Sequence, residues 1–429
     1  MHRLLVALAL AATLLPPALQ AFPLDGYEET GIRRLEGYRL AQEGRIEYPS
    51  QPPGSLLPTE QVQLRLLDSD AQLPPPPDAA FTAQVVEVLD DQADRYSLLV
   101  LDLTDPNQPR FASHRATEKQ NVGSVGKLLA AHGLFAALED AWPDDLEARA
   151  RVLRDSEVVA DAFSQTDHHK IRIVDPAAGT LEQTSMRVGD SSNLWEMLDW
   201  MLSASSNSAA SMVMREAMLL QHFGQAYPIP NPERTAFFAE TPRAELTRLF
   251  QRTFWAPVTA ADLNLDTLRQ GSFFTRGGQT RVNGGGLSYA TAGALLDWLI
   301  NLERGRIVDP WSSLQIKRQL YLTERRIRYA SSPALSRAAV YSKSGSLWSC
   351  QPEEGFTCKP YHGNRQNYMN SVSIIEEDAA TPEGEPVRLY YMVVLISNVL
   401  RVNSAVTHQT MGTRIHRLIR TQHGLPPDR

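Results

Sequence analysis

The apolar positions of this chain change period twice, and the order of those changes predicts its architecture. Tyr96–Leu103 is a near-continuous apolar run that reads as a strand, Asp105-Pro106-Asn107 is a turn, and Arg110–His114 returns as a second strand. A β-hairpin therefore opens the globular part, preceded by a helical pattern over Ala80–Asp94. Leu128, Ala131, Phe135 and Leu138 then recur at helical spacing, which predicts a buried helix. From about 140 to 330 the pattern stays mostly helical, with amphipathic segments at Leu194–Leu202 and Ala209–Leu220 and a helix over Thr291–Arg304 stopped by Gly305. Strand character returns in Ala338–Lys343, Asn370–Glu376 and Val387–Ser397, and Ala405–Thr421 closes the chain as an amphipathic helix. Strands at both ends of a helical stretch predict an α+β fold with one sheet built from the two termini.

The first 21 residues read as an export signal. Arg3 gives a positive start, Leu4–Leu15 is apolar except for Thr13, and Pro16-Pro17 with Ala18-Leu19-Gln20-Ala21 makes a cleavable end. The alternative is a retained anchor, although the apolar run is short for a bilayer. The expected location is the bacterial periplasm or the medium, with no stable membrane span. Residues 22–80 are Pro-rich and end in Leu73-Pro74-Pro75-Pro76-Pro77, which predicts an arm or linker ahead of a domain over 81–425. Net charge is −7 with no basic cluster, so nucleic acid is not an expected partner. The two cysteines, Cys350 and Cys358, have seven residues between them, a spacing that in an exported chain favours a local disulfide. Oligomeric state is not legible.

Against this background three polar motifs stand out. Ser124-Val125-Gly126-Lys127 is the one Ser-x-x-Lys of the chain, placed where the buried helix begins. That spacing puts the amine and the hydroxyl on one helical face. The chain has 36 Arg and 6 Lys, and Lys, unlike Arg, can serve as a base once desolvated. Ser205-Ser206-Asn207 follows 81 residues later between two helices, and Lys343-Ser344-Gly345 a further 138 residues on, in a strand. Each is weak alone; the order carries the signal.

In that order the motifs match the Ser-x-x-Lys, Ser-Asp-Asn and Lys-Thr-Gly set. The chain resembles the penicillin-binding protein and serine β-lactamase superfamily, nearest to class A β-lactamases, over roughly residues 85–425. Gly189–Ser211 and Tyr289–Pro310 resemble further segments of that family. The resemblance implies an antiparallel sheet from N- and C-terminal strands, with a mostly helical subdomain inserted at about 140–330. It implies Ser124 as nucleophile forming an acyl-enzyme, Lys127 as base and Ser205 as proton relay. Asn207 would bind Lys127 and the substrate amide. Lys343, as a fixed positive charge, would attract a substrate carboxylate together with Ser344 and Ser346, and Gly345 would let the substrate approach the strand. The oxyanion hole would be the backbone N–H groups of Ser124 and Ser346. No cofactor or metal is expected; the partner would be a small molecule or peptide with a carboxylate.

Two positions depart from the family pattern. Ser206 stands where Asp is usual. The window from Gln270 to Leu287, where class A enzymes carry their deacylating Glu, contains no Asp or Glu, and Glu240 and Glu245 lie in an unmatched context. Three readings stay open: a hydrolase of β-lactams, a penicillin-binding enzyme acting on D-Ala-D-Ala peptides or a related amide or ester, and a binder of cell-wall fragments without turnover. The Cys350–Cys358 insert follows the Lys-Ser-Gly strand and is expected to overhang the site. Asp167-His168-His169 is expected in a surface loop with its two imidazoles pointing apart, not as a metal site.

Overall fold

A computed structural model describes residues 26–427; the first 21 residues, expected to be an export signal, lie outside them. One five-stranded antiparallel sheet organises the molecule. Its strands are β1 (Tyr96–Asp102), β2 (Arg110–His114), β3 (Ala339–Ser349), β4 (Gln366–Ala380) and β5 (Pro386–Asn398), in the order β2-β1-β5-β4-β3. The N-terminal hairpin joins the C-terminal meander through β1 and β5, with Leu99 opposite Val394. β3 is an edge strand, so one row of its backbone groups faces away from the ladder.

All seven residues of β1 are buried because both sheet faces are covered. Leu98 and Val100 pack with α2 (Ala79–Glu87) and the closing helix α8 (Ser404–Gln422) on one face. Leu99 and Leu101 point to the other, into a core shared with the helical lobe. This is the period-two alternation of a strand with no solvent side. It also explains why the sequence showed a continuous apolar run there and not an alternating one.

The helical lobe holds the elements that place the site. They are α3 (Lys127–Ala141), α4 (Leu194–Leu202), α5 (Asn207–Phe223), α6 (Ala292–Glu303) and α7 (Pro310–Tyr321). Helices α3 and α5 lie at its centre: Leu128, Ala131, Leu134, Phe135 and Leu138 of α3 share one core with Ala210, Val213 and Ala217 of α5. Side-chain caps fix the starts of the others. Asn193 accepts from Glu196 N, and Thr291 accepts from Ala294 N.

Two local readings differ from the structure. The helix expected over Ala80–Asp94 stops at Glu87, and the chain turns through a short 3-10 segment, Asp90–Arg95, with Asp90 at φ +54°. The lobe also contains β-pairs that its pattern did not reveal, Ile171–Asp175 with Thr180–Thr184 and Glu157–Val159 with Ser191–Asn193. These strands are three to five residues long, too short for a period to register.

Residues ahead of α2 lie along both halves. Helix Arg33–Gln42 buries Leu35 and Tyr38, and its Arg34 forms an ion pair with Asp199 of α4 in which both side chains are within 1% of full burial. Gly54 sits against the backbone just before β3, where a Cβ would come within 2.1 Å of Ala338 O. Among the described residues no helix is long and apolar enough to cross a membrane.

Candidate active site

Ser124 lies in a single 3-10 turn, Gly123–Gly126, that leads into α3 at Lys127. Gly123 has φ +53°, a conformation that favours glycine, and this turns the chain against β3. Close approach is built in from the other side as well. A Cβ at Gly345 would lie 2.1 Å from Val122 O and 2.7 Å from Ser124 N, so only glycine allows the Lys-Ser-Gly strand to meet the serine turn. The same packing brings the Ser346 backbone against Gly123.

The structure brings Ser124, Lys127, Ser205, Asn207 and Lys343 into one hydrogen-bonded cluster. Lys127 Nζ is 2.9 Å from Ser124 Oγ, 2.7 Å from Ser205 O, 2.7 Å from Asn207 Oδ1 and 3.4 Å from Ser205 Oγ. Lys343 Nζ donates to Ser205 Oγ at 2.9 Å and to Ser344 O at 3.1 Å. Ser205 has φ +60°, an uncommon conformation for a residue with a Cβ, and in it the Ser205 carbonyl reaches the buried amine. Ser206 caps α5 by accepting from Ala209 N.

Lys127 has no exposed surface, and its amine lies 4.9 Å from the centre of the Phe274 ring. Burial, aided by the Arg328 charge and opposed by the Asp167 carboxylate, brings it down to about 7. Its bond geometry says which atoms the neutral amine uses. Ser205 O and Asn207 Oδ1 only accept hydrogen bonds, and they are the two shortest contacts. A neutral amine has two N–H groups, which these two oxygens consume. The remaining lone pair is left for the Ser124 hydroxyl.

Burial, then the charges of Lys127 and Arg328, push the Lys343 ammonium well below the ordinary lysine value. A further cation at this wall is Arg328, which sequence reasoning missed. Its guanidinium donates to Ser344 Oγ at 2.8 Å and to Ser346 Oγ at 2.9 Å, and an arginine keeps its proton even when burial lowers its pKa. The two serines expected to hold a carboxylate are thus already oriented by a cation. Arg328 lies 15 residues before Lys343 in a 3-10 turn with φ +57°, and no local pattern marks it.

Among the described residues, no Asp or Glu side chain hydrogen-bonds or ion-pairs with Ser124, Lys127, Ser205 or Lys343. Instead the 2% exposed Gln270 sits against Gly126, where a Cβ would come within 2.2 Å of Gln270 Oε1, and Phe274 faces the amine. Glu240 and Glu245 are exposed, on helices Asn231–Glu240 and Arg243–Phe254.

The loop around Asp167 lies at the surface as expected, with Gln165, Thr166, His168 and Lys170 exposed, but the Asp167 side chain itself is only 2% exposed, and the rings of His168 and His169 stack at 4.4 Å where adjacent histidines were expected to diverge. One carboxylate oxygen accepts from Ser206 Oγ, Asn207 N and Ser208 N at 2.7–3.0 Å. The other accepts from His168 N, His169 N and His169 Nδ1 at 2.6–3.1 Å. The three side chains are close enough for a shared metal ion, but both oxygens are already committed to hydrogen bonds. The cysteines Cys350 and Cys358 are joined in a disulfide just beyond β3.

This arrangement of sheet and helices recurs in solved structures. A β-lactamase from Sphaerobacter thermophilus matches 82% of this chain and all of its own, with TM-score 0.50 and 13% identity. The chain has the β-lactamase-like fold. A β-lactamase from Chitinophaga pinensis is similar over 80% of this chain and 99% of its own (TM-score 0.45, 13% identity). PBP-A, in an acyl-enzyme complex with penicillin G, is similar over 80% and 98% (TM-score 0.47, 12% identity). No protein-family model and no curated protein sequence matches.

Proposed function

We propose that this protein is a serine hydrolase that acylates Ser124 with a carboxylate-bearing β-lactam or cell-wall amide. The observation that carries the reading is the Lys127 bond pattern, in which two acceptor-only oxygens leave a lone pair aimed at Ser124 Oγ. Lys127 takes the Ser124 proton as Oγ attacks the carbonyl carbon. Ser205 Oγ, held between the two lysines, passes a proton to the leaving nitrogen. Ser344 and Ser346, oriented by Arg328, receive the substrate carboxylate, and Asn207 receives its amide. The Ser124 and Ser346 backbone N–H groups take the developing oxyanion.

A second observation supports a lasting adduct over turnover. Phe274 faces the Lys127 amine, Gln270 packs against the neighbouring Gly126, and among the described residues no carboxylate bonds to Ser124, Lys127 or Ser205 that could activate a water there. An amide and a phenyl ring do not accept a proton from water. This favours slow deacylation, the behaviour of a penicillin-binding enzyme, over rapid β-lactam hydrolysis. Export to the periplasm or the medium fits such a substrate.

Intact-protein mass after mixing with penicillin G tests both points. A lasting adduct, absent in Ser124→Ala, is the expected result. A transient adduct with product release would make the protein a β-lactamase. No adduct at all would overturn the acylation reading and leave a binder of cell-wall fragments.

A further inference from the structure

Among the described residues Asp167 is the one carboxylate whose side chain bonds to the Ser205-Ser206-Asn207 loop, and it arrives from a separate part of the chain. Its Oδ2 collects the Ser206 hydroxyl and the first two backbone N–H groups of α5, from Asn207 and Ser208. A negative charge at a helix N-terminus is favourable, and here it is also buried and fully hydrogen-bonded. The loop that carries it is fastened on both sides. Ser208 Oγ donates to Ser164 O at 2.5 Å, and Thr275 Oγ1 donates to Phe163 O at 2.5 Å. Gly277 packs so close that a Cβ would lie 2.0 Å from Ala162 O. These contacts fasten the loop that carries the carboxylate to α5 and to the 275–277 segment.

Two consequences reach the reacting groups. Asn207 supplies both an N–H to Asp167 and Oδ1 to Lys127, so the carboxylate fixes the backbone of the residue that orients the amine. The Asp167 charge also opposes the desolvation of Lys127. Burial acts to raise Asp167, but the hydrogen bonds from His169 and the Ser208 backbone hold it well below the usual carboxylate range, so it stays charged. The titratable groups around it are His168, His169 and Lys127, with Lys343 and Arg328 beyond.

We infer that Asp167 is a positioning residue for the proposed acylation, supplying from the 161–169 loop the carboxylate that the Ser205-Ser206-Asn207 motif lacks at Ser206. The inference rests on the proposed reading of the site, but its geometry can be tested separately.

The experiment uses Asp167→Asn, and Asp167→Asn combined with Ser206→Asp, which returns a carboxylate to the same pocket. Two readouts are followed: the rate of labelling by a fluorescent penicillin, and the Lys127 titration seen at its 13Cε resonance in lysine-labelled protein, assigned with Lys127→Arg. In Asp167→Asn labelling should slow roughly 10- to 100-fold, the scale of a small misplacement of reacting groups. The Lys127 midpoint should also fall. Both should move back in the double variant. An Asp167→Asn protein that melts like the wild type with both readouts unchanged would overturn the inference. So would a loss of folding that the introduced carboxylate does not repair. If the wild type is never labelled while the midpoints move as described, the positioning role stands and the proposed function fails.

Discussion

Two lysines of this protein have no exposed surface, and their surroundings are opposite. Lys317 of α7 lies 2.6 Å from Glu303 and 2.6 Å from Glu376, and it donates to Gln63 O at 2.6 Å. Lys127 meets hydroxyls, carbonyls and a phenyl ring, with no carboxylate in direct contact. Burial alone therefore does not make a base. Two carboxylates at ion-pair distance attract a buried ammonium strongly in a low-dielectric setting and use its N–H groups. A buried amine among neutral acceptors releases its proton near neutrality, and only that one is free to take a proton from a serine. The first lysine ties α6, α7 and β4 together; the second faces the turn that holds Ser124.

This contrast can be tested by removing each amine in turn. Lys127→Met should lower the rate of penicillin labelling roughly 100- to 10,000-fold, the usual contribution of a general base. Its unfolding midpoint should change little, because a desolvated amine is lost along with its bonds. Retained labelling in a stopped-flow measurement would break the assignment. Lys317→Met should do the reverse. Glu303 and Glu376 would be left buried without their shared cation, a loss of roughly 3–5 kcal/mol in a denaturant titration. The protein that remains folded should label at the wild-type rate.

A smaller effect concerns pH. Neutral Lys127 dominates above about 7, so labelling should rise with pH through that value and then level off. Stability follows with a definite sign. In the unfolded chain the amine stays protonated up to its ordinary 10.5, so the folded state binds fewer protons between about 7 and 10.5. The wild type should gain stability relative to Lys127→Met as pH rises across that window, and a falling difference would contradict the depressed amine. The smallest effect belongs to the disulfide. Cys350→Ser should leave both lysine clusters intact and change only the ratio of labelling rates between penicillins of different side chain. Equal ratios would count against an insert that overhangs the site.

The candidate site was partly legible before any coordinates. Ser124 and Lys127 are three apart on a helix start, and Ser205, Asn207 and Lys343-Ser344-Gly345 sit in motifs a few residues long. Groups that are local in sequence leave a local pattern. Arg328, Asp167, Gln270 and Phe274 gave no sign of their place in the site, because each lies outside the motifs, is brought to them only by folding, and belongs to no repeating period. For the same reason the altered status of Lys343 was not visible: its ammonium is depressed by burial and by two cations, Lys127 and Arg328, that only folding brings near.

By itself the sequence determined the α+β architecture, the boundaries of α4, the Thr291 cap that starts α6 and the course of β1 and β5, since hydrophobic period and capping residues act over a few residues. It also determined that Ser124 and Lys127 would meet. Only the tertiary structure decided the charge state around them. Solvent exclusion, the distance to a carboxylate and the identity of the group facing the amine are properties of the packed interior. They separate Lys127 from Lys317, although both are buried lysines in helices of the same core.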